Sequence, residues 1–381
     1  MANFSMGVTR RNNRKIGIML SLILAGGTAM EAGTAHARLN GKKLFTSWVN
    51  MGKRRFPGTI VVLAFVGSQL VGCRQSANQS SDGAGLSKIT LQADWYPQPE
   101  HGGFYNALVK GYYKEEGLDL SIQPGGPYVA VPQQVSAGAA QFGMGGSDQV
   151  LEAVADGQPL VAVAATLQRD PQGIMVRKES PIRAFPDLQG HAIAIKPGST
   201  WFEYIVKRYQ LNGVHEIPAT FSVANFVKDP EYIQQAFATS EPFFARQAGI
   251  ETRVLLTSEA GYNPYRVMFT TRDFLQQHPD VVAKFVRASL RGWRDYLSDP
   301  TTANAAIAKL NPALNQEWMQ FTWQALRDGG FVAGDAPGGT QLGKMDPARW
   351  ATMYQQLLEL KVIEKPIEPA SAYTLQFLQA K

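Results

Sequence analysis

A chain of 381 residues that is 45% hydrophobic and 18% charged is globular and longer than one ordinary domain. Its formal charge of +6 would suit an acidic polymer, but of its 37 basic and 31 acidic residues, ten bases and one acid (Glu31) lie in residues 1–73, leaving 27 bases and 30 acids beyond. Basicity therefore belongs to the leader, and a nucleic acid is excluded as partner of the folded part.

Residues 1–73 read as a leader. "MGKRRFPGTIVVLAFVGSQLVGC" (51–73) has a basic start and an apolar run too short for a permanent membrane helix. It ends in Leu70-Val71-Gly72-Cys73, which resembles a bacterial lipobox, so Cys73 is expected to carry a lipid that holds the protein at a membrane. Cys73 is the only cysteine, which excludes an intrachain disulfide and a cysteine-based metal cluster. A second basic and apolar segment begins at Arg10, and two signals in series point to Met51 as the true start, with an anchor helix in residues 1–50 as the alternative. Residues 74–87, polar and rich in Gly and Ser, read as a flexible tether.

From Lys88 the chain alternates strand and helix, an α/β pattern. "KITLQADW" reads as a strand and "FYNALVKGYYKEEG" as a helix stopped by Gly117. "LDLSIQ", "AQFGMGG", "LVAVAATLQ" and "GIMVRK" follow as strands, with helices "VPQQVSAG" and "SDQVLEAVADG" between them, the latter capped by Ser147. A second unit runs from strand "HAIAIK" through helix "TWFEYIVKRYQLNG", strand "ATFSVA", a helical "PEYIQQAFAT" and strand "ETRVLLTS". After "GYNPY" and strand "RVMFTT" the chain reads as helix, from Asp273 onward. The expected architecture is two α/β lobes, 88–177 with 266–381 and 178–265, with the C-terminal helices wrapped on the first. Ligands of open α/β sheets bind beyond the carboxyl ends of strands, so the loops there should face one another across a cleft.

Catalytic and cofactor motifs are absent: no phosphate loop, dinucleotide fingerprint, metal-ligating His spacing or nucleophile elbow. No enzyme, metal or cofactor is expected. The loops instead offer groups that suit a flat, nitrogen-rich ligand. Asp94, Trp95, Tyr96 and His101 follow the first strand among prolines. Gly145 and Ser147, then Ser199, Thr200 and Trp201, stand at helix starts, where backbone N–H groups point outward and where capping is the plainer role. Glu241, in "TSEPFF", could accept bonds from an exocyclic amine or cap its helix, and Tyr262 and Asn263 lie in the second crossing between lobes.

"DWYPQPEHGGFYNALVKGYYKEEGLDL" (94–120) resembles the opening of the binding proteins for thiamine-pyrimidine precursors, in the wider group that includes sulfonate and nitrate receptors of ABC importers. "SAGAAQFGMGG", "DLQGHAIAI", "SEPFF" and "FLQQHPDVVAKFVRA" match later motifs of that group, so the resemblance covers about Lys88 to Asp299. It implies a type II periplasmic-binding-protein fold, an interlobe cleft and delivery of a small molecule to a permease of the inner membrane. It also puts Trp95 and His101 against a ligand ring and Glu241 on an aminopyrimidine edge. Gln141 replaces an acidic residue of the family pattern, and "QQAFAT" departs from the usual segment before Glu241. Eukaryotic relatives that synthesise the pyrimidine carry a cysteine-rich segment and a cofactor lysine. This chain has no cysteine after Cys73, and "PGSTWFEY" holds no lysine, so the synthase reading is set aside. The expectation is a monomeric, lipid-tethered, extracytoplasmic receptor, with a sulfonate, taurine or nitrate receptor as the alternative.

Overall fold

The computed structural model describes residues 85–334 and 340–378; Cys73, the leader and residues 74–84 of the tether lie outside them. Among the described residues, ten strands form two five-stranded sheets. They are β1 (Ser87–Gln92), β2 (Leu118–Gln123), β3 (Phe142–Gly146), β4 (Leu160–Leu167), β5 (Gln172–Arg177), β6 (Ala192–Ile195), β7 (His215–Pro218), β8 (Ile233–Phe237), β9 (Thr252–Leu256) and β10 (Arg266–Thr271).

The first sheet has the order β2-β1-β3-β10-β4 and the second β7-β6-β8-β5-β9. In each, four strands run in one direction, three of them paired side by side as helical crossovers require, and the fifth, from the other lobe, enters antiparallel between two of the four. Edge strand β4 leads through 168–171 into β5, and edge strand β9 leads through 257–265 into β10. The lobes are thus joined by two chain segments that each end in a strand locked on both sides.

Three expectations are corrected. Segment 172–177, assigned to the first lobe, pairs with β8 and β9 in the second, so the first crossing lies at 168–171 and not at the expected boundary between 177 and 178. An apolar run announces a strand but carries no information on which distant partner it pairs with. "PEYIQQAFAT", read as helix, contains β8, a strand between β6 and β5 whose covered faces remove the alternation that would have marked it. "ATFSVA", read as a strand, is largely a loop following β7. Phe221 sits there at φ 55°, a conformation that suits no strand.

The C-terminal helices complete the first lobe. The Pro279–Ser298 helix packs on the Gly102–Val109 helix, with Phe285, Trp293 and Tyr296 in its core. The backbones approach closely: a Cβ added at Gly292 would lie 2.2 Å from the Gly103 carbonyl oxygen, and Asn106 donates to the Gly292 carbonyl at 3.1 Å. This contact fixes the helix that begins directly after His101. Gly292→Ala should therefore lower stability by roughly 1–3 kcal/mol through overpacking, read as an earlier urea midpoint; an unchanged midpoint would show that the crossing has slack.

Candidate functional site

A cavity of about 690 Å³ lies between the two sheets, bounded by both lobes. Its walls are the loops after β1, β3, β6 and β8, together with the crossing residues Asp170 and Tyr262. That is where open parallel strands place ligands, because the helices that follow them begin there.

Of the residues expected to bind ligand, Asp94, Trp95, Tyr96, His101, Ser199, Thr200, Trp201, Glu241 and Tyr262 all border this cavity. Trp95 packs edge-on against Tyr96 and lies 5.7 Å from the Phe221 ring of the opposite lobe. Tyr96 and Phe221 are 50% and 42% exposed, which makes this aromatic group the rim. His101 is 1% exposed; its Nε2 lies 3.0 Å from Asp94 Oδ1, and Nδ1 has no partner among the described residues. Glu241 is the first residue of the Glu241–Gln247 helix and does not cap it; its Oε2 accepts the N–H of Phe237, at the end of β8, at 2.8 Å, and no described side-chain donor engages the carboxyl. Thr200 donates to Glu152 Oε1 at 3.3 Å across the lobes, whereas the Ser199 hydroxyl turns back to the Lys196 carbonyl. Neither hydroxyl caps the Thr200–Arg208 helix.

Gly145, Ser147 and Asn263 do not reach the cavity wall. Gly145 is a buried position of β3 opposite Val267. Ser147 is the first helical residue, not the cap, and its buried hydroxyl accepts the Tyr265 N–H at 3.0 Å. Asn263 lines a separate recess behind the crossing, where Oδ1 accepts the Asp170 N–H. These three make contacts that hold the crossing strands.

The charged residues are the less expected part of the site. Arg266, at the start of β10, extends into the cleft with Nη2 3.2 Å from Asp94 Oδ2 and its guanidinium 5.6 Å from the Phe237 ring centre. Burial pushes the Asp94 carboxyl up, but Arg266 and the His101 hydrogen bond outweigh it, and the net effect holds the group below its ordinary range. Five further carboxyls line the cavity, and burial pushes each upward. Glu152 rises to about 8, with the Asp148 charge adding to burial, and Glu241 rises to about 7. Asp148, Asp170 and Glu100 are raised against their hydrogen bonds from Tyr262, the Gln172 backbone and Thr239. The Tyr262 hydroxyl donates to Asp148 at 2.8 Å, and Thr239 donates to Glu100 at 2.8 Å.

Sequence reasoning missed most of this set. Asp148 and Glu152 stand four apart on one helix, a spacing that puts both on one face. Glu100 adjoins His101 in a loop already singled out, so those three had a readable signal. Phe244 and Trp318, stacked 5.9 Å apart on the cavity wall, had none, since the pair joins segments distant in sequence. Lys196 also borders the cavity, immediately before the segment searched for a lysine, and is exposed.

Residues 98–303 match the family described as NMT1/THI5 like. The riboflavin-binding protein RibY of Chloroflexus aurantiacus is 24% identical over 304 residues, covering 77% of this chain and 86% of that one. A formylaminopyrimidine-binding protein of Halalkalibacterium halodurans is 25% identical over 308 residues, 78% and 92% of the two chains. A 4-amino-5-hydroxymethyl-2-methylpyrimidine phosphate synthase of Legionella pneumophila is 32% identical over 304 residues, 77% and 92%. Among solved structures, the aliphatic sulphonate binding protein SsuA of Escherichia coli superposes with a TM-score of 0.60 at 15% identity, over 77% of this chain and 99% of that one. The two-lobed α/β architecture is that of periplasmic binding proteins, and the chain belongs to the NMT1/THI5-like family.

Proposed function

We propose that the protein is the solute-binding receptor of an ABC importer and that its cleft captures a planar nitrogen heterocycle with amine or ring N–H donors, foremost an aminopyrimidine of the thiamine-precursor type. The observation that carries this reading is the composition of the wall. Six carboxyl groups face two cations, Arg266 and Lys196, and the remaining surface is rich in aromatic rings. Such a wall offers many hydrogen-bond acceptors to a flat donor and few free cationic partners to a sulfonate or nitrate. Glu241, with one oxygen tied to the Phe237 N–H and its pKa near neutrality, can accept from an exocyclic amine and share a proton with the adjacent ring nitrogen. Trp95 supplies a face for the ring.

Capture then works by population shift: a guest touching both lobes binds the closed form better than the open one, and the closed form is what a permease engages. In this reading the protein is a monomer outside the cytoplasm, held to a membrane by a lipid on Cys73. A cavity of about 690 Å³ is within the range that takes drug-sized ligands, which favours one second reading within the same class, a fused-ring ligand of flavin type. The relative named as riboflavin-binding supports it. A synthase reading rests on the name of the Legionella relative; the binding-protein relatives and the absence of any cysteine beyond Cys73 favour a receptor.

The test is a thermal-shift and calorimetric panel of aminopyrimidines, riboflavin, taurine and nitrate on residues 85–381. A true ligand at a hundred times its dissociation constant adds about 2.7 kcal/mol. Stabilisation by a heterocycle, recovered chemically intact by mass spectrometry, is the expected outcome; stabilisation by taurine or nitrate alone, or conversion of the heterocycle, refutes it. Glu241→Gln should weaken heterocycle binding by roughly 1–3 kcal/mol, since the substituted amide mispairs with the guest. Trp95→Ala should cost about 1–3 kcal/mol through lost stacking.

The raised carboxyls also set a pH dependence in the absence of ligand. The folded state holds their protons above the ordinary glutamate value of 4.5, so their contribution to stability is complete at lower pH. It is lost as pH rises through about 7 for Glu241 and about 8 for Glu152. Thermal midpoints should therefore fall across that window, and Glu241→Gln should flatten its lower part. Midpoints that rise with pH there would contradict the assigned burial.

A further inference from the structure

The cleft of a receptor whose fold is shared with sulfonate binders contains a guanidinium that already has a partner. Both oxygens of Asp94 are engaged, Oδ2 by Arg266 Nη2 at 3.2 Å and Oδ1 by His101 Nε2 at 3.0 Å. Asp94 and Arg266 are 19% and 18% exposed at their side chains, so the pair is largely screened from water. Phe237, from the second lobe, lies 5.6 Å from the guanidinium and further limits its hydration. Lys196, the other cation on the wall, is exposed.

We propose that Asp94 is the residue that determines the charge of the accepted ligand: by occupying Arg266 it keeps small oxyanions out, and without its carboxylate the same cleft becomes an oxyanion site. The inference rests on the reading of this cavity as the ligand cleft. A planar guanidinium binds sulfonate, nitrate or carboxylate through parallel hydrogen bonds, and an internal carboxylate competes for the same donors. Asp148, Asp170 and Glu100 also lie within electrostatic reach of Arg266. Burial pushes their carboxyls up, however, whereas Asp94 is held below its ordinary range by its two partners. Asp94 is also the carboxylate in direct contact with the guanidinium. It reaches this place from the loop after β1, one residue before the ring-bearing Trp95, so a single short loop supplies both the flat face and the internal counter-ion.

The experiment compares the wild-type protein with Asp94→Asn and with the double variant D94N/R266Q, by calorimetry with methanesulfonate and nitrate at mildly acidic pH. Asp94→Asn is expected to bind at least one of these anions on the order of tenfold tighter than wild type, or more, as for a freed charge-assisted pair. The double variant is expected to lose that gain. A folded Asp94→Asn protein that binds anions no better than wild type overturns the proposal, as does a gain that survives loss of Arg266. If Asp94→Asn is unfolded in dilute buffer, it is refolded with concentrated methanesulfonate and, separately, chloride: recovery with methanesulfonate alone supports the proposal, and failure in both overturns it. The heterocycle panel on wild type is read independently. A variant that gains anions while wild type binds no heterocycle leaves Asp94 in its role and refutes the ligand class instead.

Discussion

A guanidinium drawn between two lobes must keep carboxylates around it, and Arg266 organises the cleft through that requirement. Its direct partner, Asp94, comes from the loop after β1 and is itself braced by His101. Asp170, in the first crossing, and Asp148, at the start of the helix after β3, lie within electrostatic reach of the same guanidinium. Arg266 opens β10, the strand that the second crossing delivers into the first sheet. Both connections between lobes and two of the ligand-facing loops are therefore tied to one charge, in a setting where an unpaired ion would be strongly unfavourable.

Around this centre the site divides into two chemistries. Aromatic rings occupy the rim at Trp95, Tyr96 and Phe221 and one wall at Phe244 and Trp318. Carboxyls with raised pKa values line the rest, several already bonded to hydroxyls: Thr200 to Glu152 and Thr239 to Glu100 across the lobes, Tyr262 to Asp148 from the crossing. The helix starts that border the cavity do not offer bare N–H groups at the Ser147 end, because Gln149 accepts the Gly146 N–H and Asp148 accepts the Gln149 N–H. An α/β cleft commonly reserves such ends for anions. Here the local side chains cancel that tendency.

Much of this was legible in the residues. The loop 94–101 announced itself because rings and a histidine stood among prolines where packing had no use for them. The strand and helix alternation was read through local periodicity, which is why β1, β2, β3, β4, β9 and β10 were recognised and β8, covered on both faces, was not. Pairing is a long-range property, so the transfer of β5 to the second sheet was invisible. The same limit hid the role of Arg266. It stands beside a crossing, and nothing local reveals that it points at Asp94. Gly145, Ser147 and Asn263 sit beside cleft residues in sequence, yet β3 and the crossing turn their side chains or backbones toward the frame.

The aromatic rim has a kinetic meaning. Trp95 and Phe221 meet from opposite lobes, and Phe221 is held with a positive φ that a bulky side chain rarely adopts. On the proposed reading, a guest lodged beneath them would leave only when those rings part. Its residence time would then be governed by the loop that carries Phe221, while the carboxyls below would decide which molecule is worth retaining.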